Sequence, residues 1–115
     1  MKTGIENKRL LALIEELNKA EKGIWKKAAR ELSKPTRRRP AVNVSKLENY
    51  VGEGETVLIP GKLLGSGYLT KKVEVAAFSF SGNAKAIIEK NGGRTMGIGE
   101  LVEANPEGKN VRILV

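Results

Sequence analysis

The sequence predicts a small mixed α/β protein in which two helices precede a core of alternating strands and helices. Three observations carry this. After residue 42, short apolar runs alternate with helical segments, the pattern of a layered α/β architecture. Before it, Leu10, Leu13, Ile14 and Leu17 recur at i, i+3, i+4 and i+7, one apolar stripe on a helix. The 115 residues suit one domain, since domains run to about 100–200 residues, and such a chain can bury one modest core.

The elements follow in order. Thr3 and Glu6 have capping-box spacing ahead of a first helix, residues 5–19. A second helix is expected over 22–32, with Trp25, Ala28, Ala29 and Leu32 on its core face. Lys26, Lys27 and Arg30 then point away from that core. Pro35 ends the helix, because proline lacks an amide hydrogen and biases the preceding residue away from helix. Residues 34–40 form a loop bracketed by Pro35 and Pro40. Val42 and Val44 suggest a short strand, and Ser45 with Glu48 a capped helical turn through Tyr50. Val57 to Ile59 reads as a buried strand broken by Pro60-Gly61, followed by a glycine-rich loop from Lys62 to Lys72. Residues 72–80 alternate as a central strand. Ser81 caps a helix over 82–90, which Gly92-Gly93 ends. A strand at 95–97, a short helix at 99–105, a turn at 107–110 and a last strand at 111–115 complete the chain.

The net charge of +8 is not spread evenly. Residues 19–46 hold ten Lys or Arg against two Glu, while the segments on either side are balanced. The organisation expected is a basic helical part, 1–41, joined to an α/β core, 42–115. Charge concentrated in this way creates a local positive field. It is the electrostatic footprint of a polyanion-binding protein. Arg37, Arg38 and Arg39 stand between the two prolines, so the loop loses little entropy on binding. Guanidinium forks suit phosphate because they meet two oxygens at once.

The residue types exclude much. There is no Cys, His, Asp or Gln, and every acidic residue is Glu. Thiolate metal sites, iron–sulfur clusters and Cys nucleophiles are out. So are the commonest general base and the usual triad partners. No cofactor or metal is expected. The longest apolar run is Leu10 to Ile14, too short for a signal peptide or a membrane helix. A soluble, intracellular protein is therefore expected, with neither a membrane nor a small-molecule substrate as partner. Gly61, Gly65 and Gly67 give neither the P-loop order nor the dinucleotide pattern. What remains is a backbone with free amides beside Lys62, Lys71 and Lys72, able to approach a phosphodiester. An ordinary tight turn fits that stretch equally well. Glu15-Glu16 and Glu53/Glu55 are not placed across a cleft as paired catalytic carboxylates must be.

Several stretches together carry a resemblance. They are Trp25, Lys34-Pro35, Val42-Asn43-Val44-Ser45, the run Val57 to Gly67, the run Lys72 to Ser81, and Asn105-Pro106-Glu107-Gly108. In order and spacing the chain resembles the eukaryotic/archaeal large-subunit ribosomal protein family L-eighteen-e, related to bacterial ribosomal protein L-fifteen, and in length its archaeal members. The resemblance implies a non-enzymatic component of the large ribosomal subunit, cytoplasmic, bound to ribosomal RNA and beside other large-subunit proteins. It implies a core that is an irregular superhelix of strand–strand–helix turns behind basic N-terminal helices. By position it makes Lys34, Arg37, Lys62, Ser66, Lys71 and Lys72 RNA-facing. Charge alone adds Lys26, Lys27, Arg30, Arg38, Arg39 and Lys46. Two other classes stay open from the residues themselves. One is a DNA-binding protein using residues 24–32 as a groove helix; the other is a small enzyme with Ser66 as nucleophile and Lys62 as base.

Overall fold

The structure, a computed structural model, describes residues 5–115, so the Thr3–Glu6 capping pair lies outside the described residues. Helices α1 (Ile5–Lys19) and α2 (Gly23–Leu32) come first, then a 3-10 turn, Thr36–Arg38. Strand β1 (Ala41–Asn43), helix α3 (Val44–Tyr50) and strands β2 (Thr56–Leu64) and β3 (Glu74–Phe80) follow. Helix α4 (Gly82–Lys90), β4 (Arg94–Gly97), α5 (Ile98–Ala104) and β5 (Val111–Ile113) close the order. The α/β expectation is met, with all five strands in one parallel sheet.

The sheet runs β1-β2-β3-β4. β3 pairs along one edge of β2. The other edge is shared: β5 pairs with Thr56–Leu58 and β1 with Lys62–Leu64. Helices cover both faces, which is why the strands read as apolar runs rather than clean alternation. On one face Val57, Ile59, Val75 and Ala77 pack with Leu47 of α3 and Ala84 and Ile88 of α4. On the other, Leu58 and Ala76 pack with Leu17, Trp25, Ala28, Leu32, Ile98 and Leu101. Connections that step forward, β1 to β2 and β3 to β4, carry α3 and α4 on the first face. The returning one, β4 to β5, carries α5 on the second. All therefore share one hand, as parallel crossovers require.

The structure departs from the sequence reading at several boundaries, two of them with a clear physical reason. Pro60-Gly61 does not break the strand; β2 continues through it with a register shift between Ile59 and Lys62. A bulge tolerates a residue without an N–H. Ser45 is not the cap of α3; Asn43 is, and Val44 already belongs to the helix. β2-β3-α4 follows the strand–strand–helix order that the resemblance implies, and elsewhere single helices alternate with strands. The Ser81 cap is as expected, its Oγ accepting from Ala84 N at 3.1 Å.

β2 and β3 are parallel neighbours joined by residues 65–73 without a helix, although such a crossover usually contains one. Leu69 of this segment is buried in the first-face core. Gly67 takes φ +92°, and a Cβ there would lie 2.5 Å from Ser45 Cβ. Glycine is what lets the crossover lie flat on α3.

Candidate nucleic-acid interface

α2 sorts its residues cleanly. Trp25, Ala28, Ala29 and Leu32 are buried, while Lys26, Lys27 and Arg30 are exposed on the opposite side. Trp25 is a core residue, its Nε1 donating to Pro106 O at 2.9 Å. Beyond α2 the chain turns back on itself. Arg38 N donates to Pro35 O at 2.8 Å, closing the 3-10 turn that leaves Arg37 and Arg38 exposed.

Arg39 behaves differently from its two neighbours. It is half-buried, and its Nε donates to Leu32 O at 3.2 Å and Lys34 O at 3.1 Å. Leu32 is the last residue of α2, so Arg39 satisfies a carbonyl the helix end leaves open. Its guanidinium carbon also lies 5.9 Å from the centroid of Phe78, at the outer limit of a cation–π contact. Pro40 then joins the loop to β2: Lys62 N donates to Pro40 O at 3.1 Å. Lys62 itself is exposed on the strand. Lys34 Nζ pairs with Glu31 Oε1 at 2.7 Å, one turn back on the helix.

The remaining candidates have internal partners or lie apart. Lys71 Nζ donates to Glu48 O at 2.7 Å and Val51 O at 2.8 Å. It caps the C-terminal end of α3. Lys46 Nζ donates to Val115 O at 2.8 Å. Ser66 is exposed, its carbonyl accepting from Ser45 N at 3.4 Å. Lys72 is exposed, and its backbone N donates to Glu53 Oε2 at 3.2 Å. The candidates thus form two groups. Lys26, Lys27, Arg30, Lys34, Arg37, Arg38, Arg39 and Lys62 follow α2 and its loop. Lys46 of α3, with Ser66, Lys71 and Lys72 of the crossover, belongs to the elements packed on the other face of the sheet.

Glu48 fastens that crossover. Its carboxylate accepts from Thr70 N and Thr70 Oγ1, both at 2.8 Å. The Thr70 amide first, then the Thr70 hydroxyl and the Lys71 charge, lower its pKa below the usual carboxylate range. A lowered folded-state pKa gives stability that is present above the unfolded value, about 4.3, and is lost as pH falls through the folded one. Glu48→Gln should therefore be less stable than the parent at pH 7, and the difference should shrink as pH falls below about 4.3. Urea unfolding of both proteins at pH 7, 5 and 3 checks this; a pH-independent gap would contradict it.

Sequence reasoning overlooked Phe78, Ser79 and Gly61, which meet Arg39 and Lys62 in one cleft. The signal was there for Gly61, since a glycine inside a strand often marks a close backbone approach. A Cβ at Gly61 would lie 2.0 Å from Pro40 O. A larger concavity, about 840 Å³, lies elsewhere, where Glu53, Glu55, Lys109 and Arg112 balance one another. Among the described residues no cluster of His, Cys, Asp or Glu could hold a metal. Among them, too, no helix is long and apolar enough to cross a membrane.

Comparison with known proteins agrees with the resemblance read from the sequence. Residues 8–96 match the family of ribosomal proteins that groups 50S-L15 and 50S-L18e with the 60S protein L-twenty-seven-A. The chain is 48% identical over 112 residues to large ribosomal subunit protein eL18 of Methanothermobacter thermautotrophicus, covering 94% of this chain and 93% of that protein. It is 50% identical over 102 residues to eL18 of Methanococcus maripaludis, covering 89% and 85%. It is 42% identical over 112 residues to eL18 of Haloarcula marismortui, covering 94% and 96%. A family match across most of the chain, with relatives aligned over nearly their whole lengths, settles the kinship: the chain belongs to the ribosomal protein L15/L18e family.

Proposed function

We propose that this protein is a structural constituent of the large ribosomal subunit that binds ribosomal RNA through the exposed side of α2 and the loop that follows it. The observation that carries the reading is the placement of Lys26, Lys27 and Arg30, exposed on α2 opposite its buried face, and of Arg37 and Arg38, exposed on the turn that follows. Each cation that meets a phosphate releases counterions, so affinity falls steeply with salt. Folded RNA is recognised largely through shape and backbone contacts, and a rigid cationic ridge suits that task. The glycine-rich crossover is a second, smaller contact, with Ser66 and Lys72 available and Lys71 bound inward. The role is architectural rather than enzymatic, its place is the ribosome in the cytoplasm, and its neighbours are ribosomal RNA and other large-subunit proteins.

The test is binding to large-subunit ribosomal RNA across a salt series, beside a DNA duplex of matched length. The protein should prefer the RNA at every salt concentration; equal affinity for the duplex would favour DNA binding through α2. Replacing Arg37 and Arg38 by Ala should flatten the log–log salt slope by about 1.4–1.8, at roughly 0.7–0.9 per phosphate. An unchanged slope would remove the 3-10 turn from the interface.

A further inference from the structure

The cleft between the basic loop and the sheet has a volume of about 270 Å³. Arg39 comes from the loop, Lys62 from β2, and Phe78 and Ser79 from β3. The lining holds two cations and no carboxylate. At roughly 30 Å³ per water it has room for about nine waters. That accommodates one phosphodiester with its ribose and excludes a duplex.

Arg39 is oriented before anything binds, and the strand that carries Lys62 is tied to its loop. The Nε of Arg39 is committed to Leu32 O and Lys34 O. Its two terminal nitrogens have no hydrogen-bond or ion-pair partner among the described residues. Lys62 Nζ is likewise free among them, while its backbone amide ties the strand to Pro40, the residue after Arg39. Loop and strand therefore cannot drift apart without breaking that bond. A guanidinium oriented through its Nε presents its remaining donors as a fork, the geometry that meets two phosphate oxygens.

We propose that this cleft holds a single RNA phosphodiester, gripped jointly by Arg39 and Lys62, with the Ser79 hydroxyl beside it and Phe78 beneath the ribose. This rests on the RNA-binding reading above. It differs from general basicity in one respect: two cations share one phosphate. A cleft, unlike a ridge, takes a phosphate that projects from the RNA, as at a turn in the strand.

Sharing gives a distinctive salt signature. When one cation is removed, the other still neutralises the phosphate. Arg39→Ala and Lys62→Ala should each weaken binding to transcribed large-subunit ribosomal RNA several-fold with little change in salt slope. The double variant should flatten the slope by about 0.7–0.9, one phosphate rather than two. A flattening near 1.4–1.8 means two separate phosphates and overturns the proposal, as does a double variant that binds like the parent. Lys26→Ala/Lys27→Ala separates the two readings. If it weakens binding while the cleft double does not, only the cleft is wrong; if neither does, RNA binding through this region is wrong. Arg39 also caps α2, so circular dichroism must show each variant folded. Should Arg39→Ala fail that, Lys62→Glu on the exposed strand position keeps the test open. A carboxylate there would face Arg39 and repel the phosphate, and binding should fall by more than for Lys62→Ala. Equal effects of the two Lys62 variants would overturn the shared grip.

Discussion

Replacing Gly61 by Ala should cost about 3 kcal/mol of stability, at the upper end of what forced overpacking costs. The added methyl would sit 2.0 Å from Pro40 O. Its neighbour is backbone on both sides, so no side chain can swing aside. The loop must lift from β2, and the bond from Lys62 N to Pro40 O is lost with it. A small domain has only about 5–15 kcal/mol in total, so the loss is a large share. RNA affinity should fall as well in the fraction that stays folded, because Arg39 and Lys62 no longer face one another. Gly23→Ala is the control: a Cβ there meets nothing within 4 Å, and helix propensity should make it neutral or slightly stabilising. Urea midpoints of the three proteins decide the matter. A Gly61→Ala protein with unchanged midpoint and unchanged RNA affinity would mean the loop is not held this way.

Trp25→Ala should be as damaging, at about 3–5 kcal/mol. Trp25 is fully buried at the centre of the second-face core, and it joins two distant parts of the chain. Its Nε1 donates to Pro106 O. The turn that follows lies against the same helix: Gly108 has φ +68°, and a Cβ there would be 2.7 Å from Ile24 Cγ2. Removing the indole opens a cavity and frees this turn together. Trp25→Phe keeps most of the volume, and Pro106 is exposed enough for water to replace the lost donor. It should cost about 1–2 kcal/mol. Guanidinium unfolding followed by circular dichroism measures both. A loss below about 1 kcal/mol for the Ala variant, well under the usual cost of emptying an aromatic site, would place the core's centre elsewhere.

Local pattern was enough for most of the fold. The leucine stripe of α1, the split between Trp25 and Lys26-Lys27 on α2, and the Ser81 cap all depend on residues within a turn or two of each other. What lay beyond reach depended on partners far along the chain. Ser45 and Glu48 have the spacing of a capping box, yet Glu48 reaches Thr70, 22 residues away. Pro60-Gly61 reads locally as a strand break, and only the approach of Pro40 explains why a bulge there is useful. The candidate site divides the same way. Charge density located the α2 face and the arginine loop. It could not distinguish Arg37 and Arg38, open to a ligand, from Arg39 and Lys71, whose donors first serve helix ends.

The shared edge of β2 bears on how the protein is made. The stretch Thr56–Leu58 acquires its neighbour on that side only when Val111–Ile113 arrive, and Leu114 N then donates to Leu58 O at 2.9 Å. At about 5–20 residues per second, the nascent chain leaves those amides and carbonyls without a companion for several seconds. An open strand border invites association with foreign strands. The newly synthesised chain is thus most vulnerable until residues 111–114 leave the exit tunnel, and a version lacking them would carry that exposure for its whole lifetime.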